Sequence, residues 1–235
     1  MTTEKKIAWQ YDEFQQVGTD YGDMSEVDKY ESRHSNFRDM EAEACQVLDA
    51  IDIKDTDILI DFGSGTGIFA ILAAKRCRKV HAVDVSQAMI DYAGKKALQE
   101  RVNNIEFHLG GFLSHEHYGP PVDVIVTTLA FHHLPDFWKG IALKRMNAML
   151  KPGGLLYMRD VILEEANAVE NIATFIETLS AKGGQMIKEG TEKHFKEEFS
   201  TYDWIMDGLF TKSGFSVKRK TMVDGVLGTY LCIKD

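Results

Sequence analysis

The sequence predicts an α/β chain built on a doubly wound, mostly parallel, seven-stranded sheet that finishes in an antiparallel hairpin. Three observations carry that reading. Strand-like and helix-like segments alternate five times through the middle of the chain, the pattern of a parallel sheet covered on both faces. A glycine-rich loop follows the first strand in "DILIDFGSGTGIFA", residues 57–70. Two late β-like runs flank Asp224-Gly225, a tight-turn signal.

The elements follow in order. From Phe37 to Ile51, "FRDMEAEACQVLDAI" sets Met40, Ala44, Val47 and Leu48 on one stripe, which is an amphipathic helix. "DILIDF" is a buried strand, and Gly67 to Arg76 is a helix rich in Ile, Leu and Ala. "KVHAVDVS" is the second strand, and Ser86 is placed to cap a helix from Gln87 to about Arg101. "NIEFHLG" and "VDVIVTTLAF" are the third and fourth strands, the latter dense in Val and Ile as a sheet covered on both faces requires. Pro135 opens a helix that runs to about Leu150, because proline fits a first helical turn. "KPGG" then turns the chain into a fifth strand, "LLYMRDVI". Within 161–200, Val169, Ile172, Ile176 and Leu179 repeat at helical spacing, a stripe expected to face the core. "TYDWIMDGLFTKSGF" is a helix stopped by Gly214, and "SVKRKTMV" and "VLGTYLCIKD" make the closing hairpin. Residues 37–235 are expected to form one globular unit. Residues 1–36, with Trp9, Tyr11, Phe14, Tyr21, Tyr30 and His34 among many acids, read as an arm or helical lid packed over it.

Composition narrows the function. A chain of 235 residues with 44% hydrophobic and 27% charged residues is that of an ordinary globular protein. No apolar run approaches the roughly 18 residues of a membrane span, and "MTTEKKIAWQYDEF" lacks the apolar core of a secretory signal. Cys45, Cys77 and Cys232 are odd in number, far apart and without a CxxC pair, which argues for a reduced, cytoplasmic setting and against a zinc site. The net charge of −9 sits in residues 1–60, with 15 acidic against 6 basic residues. Basic residues cluster only in "KRCRK" and "KRK", so nucleic acid is not the expected partner. A field of that sign at a site mouth would favour a neutral or cationic ligand.

The glycine loop is the informative motif. Glycine tolerates positive φ and lets backbone approach a ligand. The dinucleotide fingerprint needs G-x-G-x-x-G, but Ile68 stands where its third glycine should be. The pattern here is D-x-G-x-G-x-G: Asp61, Gly63, Gly65, Gly67. Asp61 would sit badly beside a pyrophosphate and well beside a cationic ligand. Asp84 ends the second strand, where doubly wound nucleotide binders hold ribose hydroxyls with a carboxylate.

These motifs give the chain a family resemblance. Over roughly residues 40–235 it resembles the class I S-adenosylmethionine-dependent methyltransferases, through "LIDFGSGTG", "VDVS", "VDVIVTTLAFHHLPD" and "LKPGG". The flavour is that of the small-molecule branch with the ubiquinone and menaquinone enzymes. The resemblance implies a Rossmann-like fold, S-adenosylmethionine as donor and S-adenosylhomocysteine as product. It implies cofactor contacts at Asp61, Gly63, Ser64, Gly65, Thr66, Gly67, Asp84, Val85, Gly111, Phe112, Thr128 and Leu129. It implies in-line displacement on a small-molecule acceptor, by a monomer or homodimer. One departure stands out: where relatives carry an acid for the adenine amino group, this chain has Gly110 and Gly111. His132 and His133 follow the fourth strand at the ligand-binding edge of such sheets. They are the candidate catalytic residues, with His132 facing substrate as a possible base and His133 ordering the loop. "HEH" at 115–117 reads as an exposed loop, because i, i+2 spacing without a third ligand is weak evidence for metal; no metal site is expected. Three alternatives stay open, one of them a catalytically silent binding or scaffold protein that kept the pocket. Carboxy-S-adenosylmethionine synthesis would want several basic residues, and Arg159 is the obvious one; a nicotinamide oxidoreductase is opposed by Ile68 and Asp61.

Overall fold

The computed structural model describes residues 8–15, 17 and 38–235. Helix α1 (Met40–Ala50) is capped by Asp39, whose side chain accepts from the Ala42 N–H, and it buries Ala44, Val47 and Leu48. Five β-strands follow, with a helix between each pair except β3 and β4: β1 (Ile58–Phe62), α2 (Ile68–Ala74), β2 (Lys79–Asp84), α3 (Gln87–Gln99), β3 (Ile105–Leu109), β4 (Val122–Thr128), α4 (Asp136–Met149) and β5 (Leu150–Leu163). Ser86 caps α3 as the sequence predicts, accepting from the Met89 N–H. A single 3-10 turn, Phe131–His133, separates β4 from α4. The tail holds α5 (Ala168–Glu197), a two-residue β6 (Thr201–Tyr202), α6 (Asp203–Lys212), β7 (Phe215–Val223) and β8 (Leu227–Lys234).

The main sheet runs β3-β2-β1-β4-β5-β8-β7, seven strands in all, with β6 added beside β5. Strands β1 to β5 pair in parallel, while β8 runs antiparallel to both β5 and β7. The hairpin turns over residues 224–226, where Asp224 and Gly225 both take positive φ (52° and 63°), a conformation that suits Asp-Gly. Both faces of the sheet are buried. Ile60, Phe62, Ile125, Met158 and Tyr230 face one core layer; Leu59, Val80, Ala82, Val126 and Tyr157 face the other. That two-sided burial is why the central strands read as continuous apolar runs.

Two local expectations change. "KPGG" is not a turn ahead of β5 but an irregular start of the strand itself, with Gly153 at φ +73° and a register shift opposite Val122–Val124. Pro152 has no N–H to give, so the ladder bulges there. Helix α5 spans 30 residues but breaks at Gly184 (φ 74°, ψ −166°), a conformation only glycine takes at little cost. Its stripe of Ile172, Ile176 and Leu179 is half-buried and Val169 is 76% exposed; the stripe does not enter the core. No helix among the described residues is long and apolar enough to cross a membrane. Most of the N-terminal arm, including Tyr21, Tyr30 and His34, lies outside the described residues.

Ile125 lies at the centre of β4 with no exposed surface. Ile125→Ala should lower unfolding free energy by about 2–5 kcal/mol, read from the urea midpoint.

Candidate active site

In an open α/β sheet the ligand crevice opens where neighbouring strands send their connections to opposite faces. Here that point lies between β1 and β4. The loop after β1 needs its glycines for different reasons. A Cβ on Gly63 (φ +73°) would overlap the Ala130 side chain after β4, and one on Gly67 (φ +79°) would lie 2.7 Å from Ala93 Cβ. Gly65 (φ +52°) has nothing within 4 Å of its would-be Cβ. Two glycines let strands and helix close up, and the middle one leaves room over the loop.

That room is part of a cavity of ≈ 550 Å³. Of the residues singled out from the sequence, Gly63, Gly65, Asp84, Val85, Gly111, Phe112, Leu129, His132 and His133 line it. Ser64, Thr66, Gly67 and Thr128 stand behind the wall rather than on it. Asp61 is also set back, 2% exposed, with its Oδ2 and the Ser64 hydroxyl lacking a partner among the described residues. Burial, and then the neighbouring Asp84, push the Asp61 carboxyl up to about 8, so it is uncharged at neutral pH. Asp84 accepts from the Gly65 N–H (2.8 Å) and the Ser86 N–H (2.9 Å). Those bonds oppose the burial that raises it. A buried loop with an orphan carboxyl oxygen, a second carboxylate and an open glycine face suits a ligand carrying both a cation and hydroxyls.

The two histidines differ from the sequence expectation. His132 is enclosed: its Nδ1 meets Asp160 Oδ1, and its Nε2 lies 3.1 Å from Glu198 Oε2. Burial alone would depress it, but Asp160 and Glu198 outweigh that and raise it to about 9. It is an imidazolium with both nitrogens engaged, so it has no lone pair for a substrate proton. Burial raises Asp160, yet His132 and two backbone N–H groups bring it down to about 2. His194 extends the chain, with Nδ1 at 2.5 Å from Glu198 and Nε2 at 2.8 Å from Ser200 Oγ. His133, by contrast, is held down to about 4 by burial and by charged His132 beside it. It is a neutral imidazole on the cavity wall.

Several wall residues were not singled out from the sequence as cavity-lining; Leu179 was named there for its helical stripe, Tyr11 for the arm and Arg159 for an alternative chemistry. Helix α5 contributes Phe175, Thr178, Leu179, Lys182, Met186, Ile187 and His194. Its helical stripe was visible, but periodicity alone does not say whether a stripe faces a core or a cavity. The arm contributes Tyr11, Glu13 and Gln15. Tyr11 donates to the His133 carbonyl (3.3 Å) and meets Phe199 edge-on, and Trp9 packs against Trp138. Both Glu13 carboxylate oxygens accept from the Leu113 N–H (3.1 and 3.0 Å), and a Cβ on Gly111 would meet that same carboxylate. Arg159 on the wall is paired with Glu43 (3.0 Å), which also holds Arg38 (2.6 Å).

The charged network fixes a pH dependence. His132 has a folded value near 9 against about 6.5 unfolded. Its stabilisation is therefore complete below pH 6.5 and disappears as pH climbs through 9. In urea titrations from pH 6.5 to 9.5, His132→Gln should be less stable than the wild-type chain at pH 6.5, with the gap narrowing steadily toward pH 9.5. Asp61 keeps its own slope in both proteins.

Comparison with known proteins agrees with this geometry. Residues 59–154 match the methyltransferase domain family. An uncharacterized methyltransferase of Geobacillus kaustophilus is 29% identical over 186 residues, covering 79% of this chain and 81% of the relative. Another, from Oceanobacillus iheyensis, is 29% identical over 181 residues (77% and 79%). In fold, the chain is similar to a SAM-dependent methyltransferase from Aquifex aeolicus, with a TM-score of 0.64 at 21% identity over 91% of this chain and 99% of that one. It is also similar to magnesium protoporphyrin IX methyltransferase from Synechocystis, with a TM-score of 0.63 at 11% identity over 90% and 94%. The D-x-G-x-G-x-G loop, the strand order with its reversed β8, and the methyltransferase domain matched over residues 59–154 together support S-adenosylmethionine-dependent methyl transfer.

Proposed function

We propose that the chain methylates a small-molecule acceptor enclosed between the β1 and β4 loops and helix α5. The observation that carries this is the cavity itself, where the glycine loop and Asp84 share one enclosed space with the apolar face of α5. A duplex or a folded protein surface would not fit inside ≈ 550 Å³. Phe175, Leu179, Met186 and Ile187 favour an acceptor with an apolar body. The acidic excess of residues 1–60 favours a neutral or cationic acceptor, diluted locally where Glu13, Glu43, Asp49 and Asp52 are each engaged with a backbone N–H or a basic side chain. Three free cysteines support action in the cytoplasm.

S-adenosylmethionine, when bound, supplies an electrophilic methyl group on a sulfonium. In this reading Asp84 accepts from the ribose hydroxyls. Gly63 and Gly65 bring backbone against the methionine part, and Asp61 faces its ammonium. Val85, Phe112 and Leu129 pack on the nucleoside, with Gly111 leaving space beside them. Neutral His133 is the group able to take a proton from an acceptor hydroxyl or amine, while His132 and its two carboxylates hold the His133 loop in place. Positioning of the acceptor in line supplies most of the acceleration, up to roughly 7–11 kcal/mol. Trp9, Tyr11 and Glu13 act as a lid that excludes water.

Methyl release assayed across a metabolite library tests the acceptor class; turnover only of a macromolecule would overturn it. Asp84→Ala should weaken S-adenosylhomocysteine binding by about 10–150-fold, the scale of losing charge-assisted hydrogen bonds, with a cooperative unfolding transition retained. At pH 7 Asp61 carries its proton, and a cation placed beside it lowers its pKa. Cofactor binding should thus release about one proton, measured by calorimetry in buffers of different ionisation enthalpy, and Asp61→Asn should abolish that release. Trp9→Ala combined with Tyr11→Ala should raise the S-adenosylhomocysteine Kd by roughly tenfold, on the scale of two aromatic contacts, while the thermal midpoint stays within a few degrees.

A further inference from the structure

At the opposite side of the glycine loop from α5, strands β2 and β3 bring together side chains that the methyl-transfer site does not use. In the parallel register His81 stands opposite Glu106 and Val83 opposite His108. His81, Glu106 and His108 therefore share one face of two neighbouring strands, at the edge where the sheet ends. The loop after β3 folds back on them. The His115 ring lies 5.0 Å from that of His108, and the His117 ring 5.0 Å from that of His81. Four imidazoles and a carboxylate converge, from three segments that the sequence keeps apart.

We propose that His81, His108 and Glu106 bind a divalent transition-metal ion of the zinc class, with His117 or water completing the set. The donor atoms already form a compact triangle. His81 Nδ1 is 3.0 Å from His108 Nε2 and 3.4 Å from Glu106 Oε2, and the last two are 4.0 Å apart. Tetrahedral ligands at about 2.0–2.1 Å from zinc stand about 3.3 Å from one another, so shifts of a few tenths of an ångström would seat an ion. Imidazole donors select zinc, cobalt or nickel over magnesium and calcium.

Two further observations resist a purely structural account. His115 is 6% exposed, yet its Nε2 has no partner among the described residues. Glu106 binds Lys79 through Oε1 alone (2.6 Å) and turns Oε2 toward the histidines. The Lys79 charge opposes a cation, but Lys79 meets the opposite carboxylate oxygen, Oε1, with its side chain partly in solvent. The cavity trio of His132, His194 and Glu198 offers a similar count of donors. There, however, Glu198 already bonds both histidines and His194 also bonds Ser200.

An ion at this edge would tie the 110–117 loop, which supplies Gly110, Gly111 and Phe112 to the cavity wall, to β2. The test uses the full chain after chelator treatment, titrated with Co²⁺ and then displaced by Zn²⁺. The expected result is one equivalent of Co²⁺ with the strong visible absorption of four-coordinate cobalt, and a rise of several degrees in the thermal midpoint with Zn²⁺. His108→Gln combined with Glu106→Gln should weaken Co²⁺ binding by at least 10–100-fold, while the midpoint in chelator matches wild type, since both side chains are solvent-accessible. His194→Gln should leave Co²⁺ affinity unchanged. Absence of stoichiometric binding, full binding by the double variant, or loss of binding in His194→Gln would each overturn the proposal.

Discussion

The contact on which the rest of this structure depends is the closure of the β1 loop against the β4 loop at Gly63 and Ala130. No Cβ fits on Gly63 without striking Ala130, so the two loops touch at their bases and diverge above. That divergence is the crevice. Parallel strands sending their helices to opposite faces would open a gap at this point in any such sheet; the missing side chain sets its depth. Gly67 does the same on the helix side by letting α2 approach Ala93 of α3. Gly65, with open space before it, is the glycine whose absent side chain leaves the cavity clear.

The second constraint is electrostatic. A buried imidazolium between two buried carboxylates joins the 3-10 turn after β4 (His132), strand β5 (Asp160) and the segment closing α5 (Glu198). The Asp160 carboxylate also accepts from the Phe131 N–H (2.6 Å) and the Val161 N–H (2.7 Å). Phe199 donates to the His132 carbonyl (2.9 Å), and the Lys139 ammonium donates to the Phe199 carbonyl (2.5 Å). Ions desolvated to this extent are tolerated when each is paired and hydrogen-bonded, and here each is. The network therefore acts as a clamp that sets where α5 ends, and with it the roof of the cavity. Its charge also bears on the chemistry next door, because burial and then the imidazolium at His132 keep His133 neutral.

A methyl-transfer site asks little of its protein in acid–base terms and much in placement. The described chain supplies placement from three sources: the rigid β1 and β4 loops, the half-buried stripe of α5, and the short arm segment anchored by Glu13 on the Leu113 N–H and Tyr11 on the His133 carbonyl. The last two are carried by few buried contacts, and such segments open at lower free energy than core strands do. That is the distribution of stability expected of a floor and a moving cover.

The sequence by itself determined the five parallel strands and most of their helices, the closing hairpin and the glycine loop with its two acids; the helix that strict alternation would put between β3 and β4 is not there. Each of these rests on local chemistry. Two-sided burial demands runs such as "VDVIV", positive φ demands glycine, and the hairpin demands Asp224-Gly225. It also placed Asp84, Gly63 and Gly65 at the cavity, because the ends of strands in such a sheet have a fixed relation to the crevice. What only the tertiary structure decided are the relations between distant segments. Periodicity marked the α5 stripe but did not say that it roofs a cavity. Spacing cast His132 as the base and His133 as the loop-ordering residue, until Asp160 and Glu198, 28 and 66 residues beyond His132, charged His132, while burial and that charge kept His133 neutral. The "HEH" loop looked exposed, yet His115 is buried and both its histidines pack against β2 and β3. Burial, pKa and ligand convergence depend on which side chains meet across the fold, and those distances are set by packing rather than by spacing along the chain.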